Sequence, residues 1–517
     1  MAMRKREVLL LLGMGLALFA LTATLINVAL LPYACTVMGY PRLLMLAVFV
    51  LTASGIFALA YSLQRMEEAW LERAARVTRP AFIIVLFVCH LFMGYYMEYT
   101  PMGDNFMLYD GSYTLASLGD FGGLDFDLYL SRFSNQWGFM LMLTAFNKLL
   151  LALGMKNRFY ALVMVQAALY AAAMNCLLSM ARRLRGVRGE LAMTVLLAIC
   201  LPLYLAAAVL YTDTFSLPFV LFTLYFALKV AGQKDIRVSL KYALLCGLCA
   251  CLGCQIKMTV AIVLIAAVIV WMLTMRPARA VAAAALSAAI VIGGTQGVQK
   301  IMTTFVLDPS MVEQHNTPAI HWVMMSIPTP HNPYGGLTGD YGITWGMQEA
   351  GASRKEVMDS IYTRMKDRIY TLRYPQRLVP AMLRKNAASQ GDGSFGMTEM
   401  LDDGPIRENV ISSVVLEGRP LYKVYLALTS GIWYAMIAYA SLSVYADMRR
   451  RDFTCAIPVI AVLGIQLFLL LWEARQRYIF GYVPLVLLLA AGYVSRPRLC
   501  LDAVREGWLW RRISAKW

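Results

Sequence analysis

Trp137-Gly-Phe-Met-Leu-Met-Leu-Thr-Ala-Phe-Asn-Lys-Leu-Leu-Leu-Ala-Leu153 is the segment whose placement decides the fold. It is apolar enough to cross a membrane and close to the length that crossing needs. If it crosses, Arg182-Arg183-Leu-Arg185 and Arg188 face the side opposite to Arg4-Lys5-Arg6, and the charge pattern of the chain breaks. If it lies on the outer surface as an amphipathic or re-entrant helix, every basic cluster shares one side. We take the second reading.

The rest of the chain fits that choice. Its 517 residues are 60% hydrophobic and 15% charged, with a formal net charge of +16. Apolar stretches of about 17–25 residues recur from end to end, the length needed to cross the hydrocarbon core. These features exclude a soluble globule and predict an all-α polytopic membrane protein. We expect about twelve spanning helices, near 7–31, 42–63, 80–97, 159–181, 190–209, 214–230, 239–254, 257–275, 279–299, 421–446, 453–472 and 478–494. Met1–Leu31 has a basic start and an apolar run but no clear small-x-small cleavage site, so it reads as the first membrane helix.

The basic clusters at Lys234, Arg237 and Lys241, at Arg276 and Arg279, at Arg449-Arg450-Arg451 and at Arg496 and Arg498 then all fall inside. So do the mixed loop from Gln64 to Arg79 and the tail with Arg505, Arg511 and Arg512. The basic excess therefore reports topology and contact with anionic lipid. No basic stripe with interleaved aromatics points to nucleic acid. The ten cysteines lie mostly in apolar segments, and no disulfide framework is expected.

Two outer regions remain, and they divide the chain into a membrane module over 1–299 (including an acidic loop at 98–158), an extracytoplasmic, mainly α region over 300–420, and a second membrane module over 421–517. In the middle region Ser353-Arg-Lys-Glu356 has capping-box spacing. It opens an amphipathic helix with Val357, Ile361, Met365, Ile369 and Leu372 on one face, ended by Pro375. A short helix follows near Gln376 to Ala388, and the Gly/Pro-rich stretch from Pro328 to Gly346 reads as a loop.

Chemistry concentrates at the outer side. Pro101-Met-Gly-Asp104-Asn-Phe-Met-Leu-Tyr109-Asp110 follows the third helix, with Asp120, Asp125 and Asp127 beyond it. A carboxylate there can take a proton from an acceptor hydroxyl, or simply be part of a solvated loop. Asp213, in Tyr211-Thr-Asp213-Thr, can serve the same cavity or act as a helix N-cap. Lys257, in Gly253-Cys-Gln-Ile-Lys257, can hold a lipid phosphate or snorkel. Arg475 and Arg477, in Trp472-Glu-Ala-Arg475-Gln-Arg477-Tyr478, crowd a short outer turn and can grip a phosphate, or anchor in an interfacial belt. His315, His321 and His331 fit no common zinc spacing, and Cys246, Cys249, Cys251 and Cys254 sit in an apolar helix where small residues aid packing.

These stretches together resemble the GT-C class of membrane glycosyltransferases, and within it the bacterial family-39-like proteins related to protein O-mannosyltransferases and the lipid A aminoarabinose transferase. Gly103-Asp104-Asn105 stands where that class keeps its outer-loop acid, with Asn105 in place of a second acid. Tyr129-Leu-Ser-Arg132-Phe-Ser-Asn135-Gln136-Trp-Gly138 is similar to a Tyr-x-x-Arg-Tyr-Pro-Asn-Gln-x-Gly pattern, with Phe133-Ser134 replacing Tyr-Pro. Tyr211-Thr-Asp213-Thr, Gly253-x-x-x-Lys257, His321-Trp-x-Met-Met325, Gly391-Asp-Gly-Ser-Phe395 and Trp472-Glu-x-Arg475-x-Arg-Tyr478 follow in order. The resemblance implies a GT-C-like helix bundle with outer juxtamembrane helices and an outward cavity. It implies a polyprenyl-phosphate-linked sugar as donor and a glycan, lipid or protein as acceptor. Asp104 is then the base, with Asp213 the second catalytic candidate. Lys257, Arg475, Arg477, Tyr129, Asn135, Gln136 and His321 contact substrate, and transfer inverts the anomeric carbon. No residue pattern supports a divalent cation, and metal dependence stays open.

Two other classes fit a twelve-helix bundle: a polyprenyl-linked glycan polymerase or ligase, and a lipid-linked sugar transporter or flippase. Against the latter, the chain has no clear halves related by repeat and few charges within its helices.

Overall fold

The computed structural model describes residues 2–30, 39–122, 125–336, 338–401 and 406–505. Arg511 and Arg512 of the basic tail lie outside the described residues. Among those described, every regular element is helical. Among the described residues, nine helices are long and apolar enough to cross a membrane, and Met258–Thr274 and Ala456–Leu471 are shorter apolar helices. The longest, Arg158–Ala198, contains a kink at Gly186 and is two helices joined there. That kink falls in the turn expected between residues 181 and 190.

Three local expectations need correction. Gln64–Arg79 is not a loop, because one helix runs over Glu68–Tyr96 and through Pro80. Leu71, Ala75, Phe82, Leu86 and His90 are buried along it at helical spacing, so one packed stripe continues across the proline. The stretch Pro328–Gly346 is not wholly loop, since Asp340–Glu349 is helical. An acidic residue opens that helix, where the macrodipole favours it. The helix expected over 190–209 ends at Ala198, and Pro202–Leu205 and Ala206–Ala208 follow as separate short turns.

The basic clusters between apolar segments meet in ion-pair networks. Buried Arg185 pairs with Asp447 and lies 3.4 Å from Asp452, while Arg496 reaches Asp447 at 2.7 Å and Asp452 at 3.1 Å. Arg182 and Arg79 converge on buried Glu190 at 2.8 and 3.3 Å. Glu190 is the shared acid of one network and Asp447 of the other, so losing either leaves its arginines short of a counter-charge.

Trp137–Ala152 is a 16-residue helix, about 24 Å at 1.5 Å per residue, and so shorter than a core of about 30 Å. It packs on Gly103–Leu118, where Asn147 Nδ2 donates to Ser112 Oγ at 3.0 Å. Residues of the 300–420 region form their own small apolar cluster around Met324, Val357 and Ile361. Ser353 and Glu356 cap helix Arg354–Thr371 reciprocally. Arg368 Nη2 lies 2.7 Å from each Asp340 oxygen. Burial opposes the Asp340 charge, but the bonds from Arg368 and Thr338 hold the carboxyl below its ordinary range. This region is tied to the last hairpin: Ala474 N donates to Gly335 O at 2.9 Å and Ser326 Oγ to Leu471 O at 2.9 Å.

Candidate active site

A cavity of about 1010 Å³ lies between the membrane helices and the 300–420 region. The membrane side contributes Asp104, Gln136, Tyr211, Lys257, Arg475 and Arg477 to its wall. The 300–420 region contributes an aromatic wall. Trp322 stacks on Phe133 at 5.9 Å between centroids, and Trp345 meets Phe133 edge-on at 5.7 Å.

Asp104 stands in the first turn of helix Gly103–Leu118. Gly103 before it has φ +53°, a left-handed backbone that favours glycine. The helix start favours the Asp104 charge through its dipole. Asp104 Oδ1 accepts from Tyr129 OH at 3.1 Å and Oδ2 from Tyr211 OH at 3.1 Å. Gln136 Nε2 in turn donates to Tyr211 OH at 3.2 Å. Burial, then the neighbouring Asp104 charge, push both phenols well above their ordinary value. They therefore remain hydroxyl donors at neutral pH. Among the described residues, neutral hydroxyls and no lysine or arginine hold the Asp104 carboxylate.

Asp213 has a different environment. It opens helix Thr212–Ala231, is 2% exposed, and pairs with Lys257 through Oδ1. Arg477 Nε lies 3.5 Å from its Oδ2. Lys257 sits in extended backbone between Ile236–Ile256 and the turn Met258–Val260, with Nζ 4.1 Å from the centre of the Tyr478 ring. A buried carboxylate facing two cations anchors them in place.

Arg475 Nε donates to Glu473 Oε1 at 3.1 Å, and its Nη1 lies 3.8 Å from Glu399. Glu473 also accepts from Tyr478 OH at 2.9 Å. Arg475 is about one-third exposed, whereas Arg477 is half as open.

Asn135 also lines the cavity, and Tyr129 stands behind Asp104. His321 does not line the wall. It is buried, its Nδ1 lies 3.0 Å from Thr344 Oγ1, and burial lowers it to about 4, so it is neutral at neutral pH. Its neighbour Trp322 lines the cavity instead, because adjacent residues on a helix point about 100° apart. Tyr211, Glu473, Trp345 and Arg354 are further wall residues that the sequence reading did not single out. Tyr211 had a signal, since it begins the quoted Tyr-Thr-Asp stretch. Glu473 had one too, inside the quoted Trp472-Glu-Ala-Arg475 turn, whereas nothing local in sequence brings Trp345 and Arg354 to this wall.

Among the described residues, no group of three or more His, Cys, Asp and Glu could hold a metal ion. No curated protein matches the chain in sequence. The chain is similar to the crystal structure of ArnT from Cupriavidus metallidurans bound to undecaprenyl phosphate, at 14% identity, over 81% of this chain and 77% of that one, with a TM-score of 0.32. For the apo state of the same protein the values are 15%, 80%, 77% and 0.34. A family model described as conserved hypothetical integral membrane protein matches residues 6–497, and the chain belongs to that family.

Proposed function

We propose that the protein is a membrane glycosyltransferase that moves a sugar from a polyprenyl-phosphate carrier to an acceptor hydroxyl at the extracytoplasmic face. One observation carries the reading. Asp104 borders a large cavity, held by the Tyr129 and Tyr211 hydroxyls, while Lys257, Arg475 and Arg477 border the same cavity. A base and a set of cations in one chamber suit displacement at an anomeric carbon. Asp104 takes the proton of the acceptor hydroxyl, and the acceptor oxygen attacks the sugar. The bond from sugar to phosphate breaks, and the cations offset the charge left on the phosphate. A single displacement inverts the centre. Asp213 acts through Lys257 and Arg477 by holding them in place.

The three modules divide this work. Residues 1–299 supply the base and Lys257, 300–420 the aromatic wall, and 421–517 the two arginines. The ordered motif resemblance in the sequence supports the same reading.

The test incubates purified protein in nanodiscs with a panel of polyprenyl-phosphate monosaccharides labelled in the sugar. Free polyprenyl phosphate and labelled acceptor are the expected products. Relocation of intact donor would make the protein a flippase. Consumption of a pyrophosphate-linked oligosaccharide alone would make it a polymerase or ligase.

A further inference from the structure

A second pocket, of about 370 Å³, adjoins the main cavity. The two share Ser134, Asn135, Met258, Asn316 and Arg354 as a common wall. Behind that wall the side pocket is lined by Gln255, Thr295, Gln299 and Thr303, with Trp137 beside them. Its volume lies in the usual range for ligand sites.

The lining chemistry is specific. Apart from Glu313, Arg354, the Trp137 indole and the Cys254 thiol, its polar side chains are amides and hydroxyls. Such groups offer donors and acceptors together, as sugar hydroxyls do, and carry no charge. Gln255 Nε2 donates to Thr295 Oγ1 at 3.2 Å, and Thr295 Oγ1 donates to Val291 O at 2.9 Å, so these groups are already oriented. Thr295 and Gln299 stand four residues apart on helix Pro277–Ile301 and so share a face. Along that helix only Ala280, Ala283 and Ser287 are fully buried in the bundle. Amide and hydroxyl groups on so open a membrane helix cost free energy unless a polar environment receives them.

Gly138 completes the pocket. A Cβ there would meet Gln255 O at 2.6 Å and Gln255 Oε1 at 2.7 Å, so only glycine brings Trp137 and Asn135 this close to Gln255. A hydrogen-bond relay links the shared wall to Asp104. Gln136, next to Asn135, donates to the Tyr211 hydroxyl that holds the Asp104 carboxylate.

We propose that this side pocket is the acceptor subsite and that it takes a neutral, polyhydroxylated sugar whose free hydroxyl enters the main cavity past Asn135. The inference rests on the glycosyltransferase reading and adds the acceptor's chemical class. The sugar can belong to a free glycan or to a glycolipid headgroup.

The test uses the full chain in nanodiscs. The probes are mannotetraose, chitotetraose and a dihexosyl diacylglycerol placed in the disc. Saturation-transfer NMR reads the soluble probes and photo-crosslinking reads the lipid. At least one probe is expected to bind, and Thr295→Val with Gln299→Leu is expected to weaken it at least about tenfold. Thr303→Val supplies a second variant if that pair misfolds. A soluble probe binding points to a free glycan, and the lipid probe alone points to a glycolipid. No binding by any probe, or unchanged binding in the variants, overturns the subsite. Polyprenyl phosphate binding is read in parallel. Its absence overturns the transferase reading, whereas its presence without sugar binding overturns the subsite alone.

Discussion

Tyr211 donates its hydroxyl to Asp104 at 3.1 Å, joining two elements 107 residues apart in the chain. The bond fixes the carboxylate at the start of helix Gly103–Leu118 to the start of the helix that carries Asp213. The proposed base and the anchor of the proposed phosphate site are therefore registered by one hydroxyl.

Asp104→Asn keeps the size of the side chain and removes the base. Release of polyprenyl phosphate in the presence of acceptor should fall by at least about a hundredfold, within the usual range for a general base. Donor binding should survive. Asp110→Asn and Asp120→Asn should do much less, since Asp110 is engaged with Arg158 at 3.0 Å and Asp120 caps its own turn at Gly122. Parental turnover by Asp104→Asn would move the base elsewhere.

Tyr211→Phe preserves the ring and deletes one bond to Asp104. A lost hydrogen bond to a charged group is worth about 1.5–3 kcal/mol, so turnover should drop roughly tenfold to a hundredfold with little change in melting temperature. Tyr129→Phe should act in the same direction, and the double variant should be non-additive because both serve one carboxylate. Additive losses would mean that the two tyrosines act separately.

Arginines 475 and 477 should differ. Arg475→Ala should weaken donor use about tenfold to a hundredfold while the protein remains folded, because its side chain is partly open. Asp213→Ala leaves Lys257 and Arg477 without their shared counterion and should cost about 3–5 kcal/mol of stability. Thermal melting in detergent measures the second effect and donor kinetics the first. A stable Asp213→Ala protein with normal donor affinity would remove Asp213 from the site.

Burial pushes the Lys385 ammonium down to about 7, against a smaller opposite effect of Glu473. The side chain is 1% exposed and donates to Ser326 O at 2.7 Å. An unfolded lysine titrates near about 10.4, so between about pH 7 and 10 the unfolded chain binds more protons than the folded one. Stability from this group therefore rises with pH across that window and is flat below it. Lys385→Met should flatten the rise in melting temperature between pH 7 and 9. An identical slope in the variant would assign the pH dependence to other groups.

Residues 300–420 should face the outside and the Arg449 cluster the inside. In intact cells an impermeant maleimide should label Lys366→Cys and spare Arg450→Cys, both exposed positions. Labelling with the opposite pattern would overturn the orientation and the proposed mechanism together.

The sequence made the long apolar helices and their order legible, because hydropathy over about twenty residues is a local property. It also marked a turn between residues 181 and 190, where the chain kinks at Gly186, since basic clusters mark turns, and the reciprocal cap at Ser353 and Glu356, since capping is set by four neighbours. It read Asp104, Asp213, Lys257, Arg475 and Arg477 as chemically unusual for their positions. It could not divide their roles. Only the tertiary structure decided that Asp213 faces Lys257 and Arg477, while Asp104 faces neutral tyrosines. It likewise turned Trp322 toward the cavity and His321 toward Thr344. The physical reason is that charge pairing, burial and side-chain direction depend on which helices pack together. Residues 44 positions apart, such as Asp213 and Lys257, carry no mark of each other until the chain has folded.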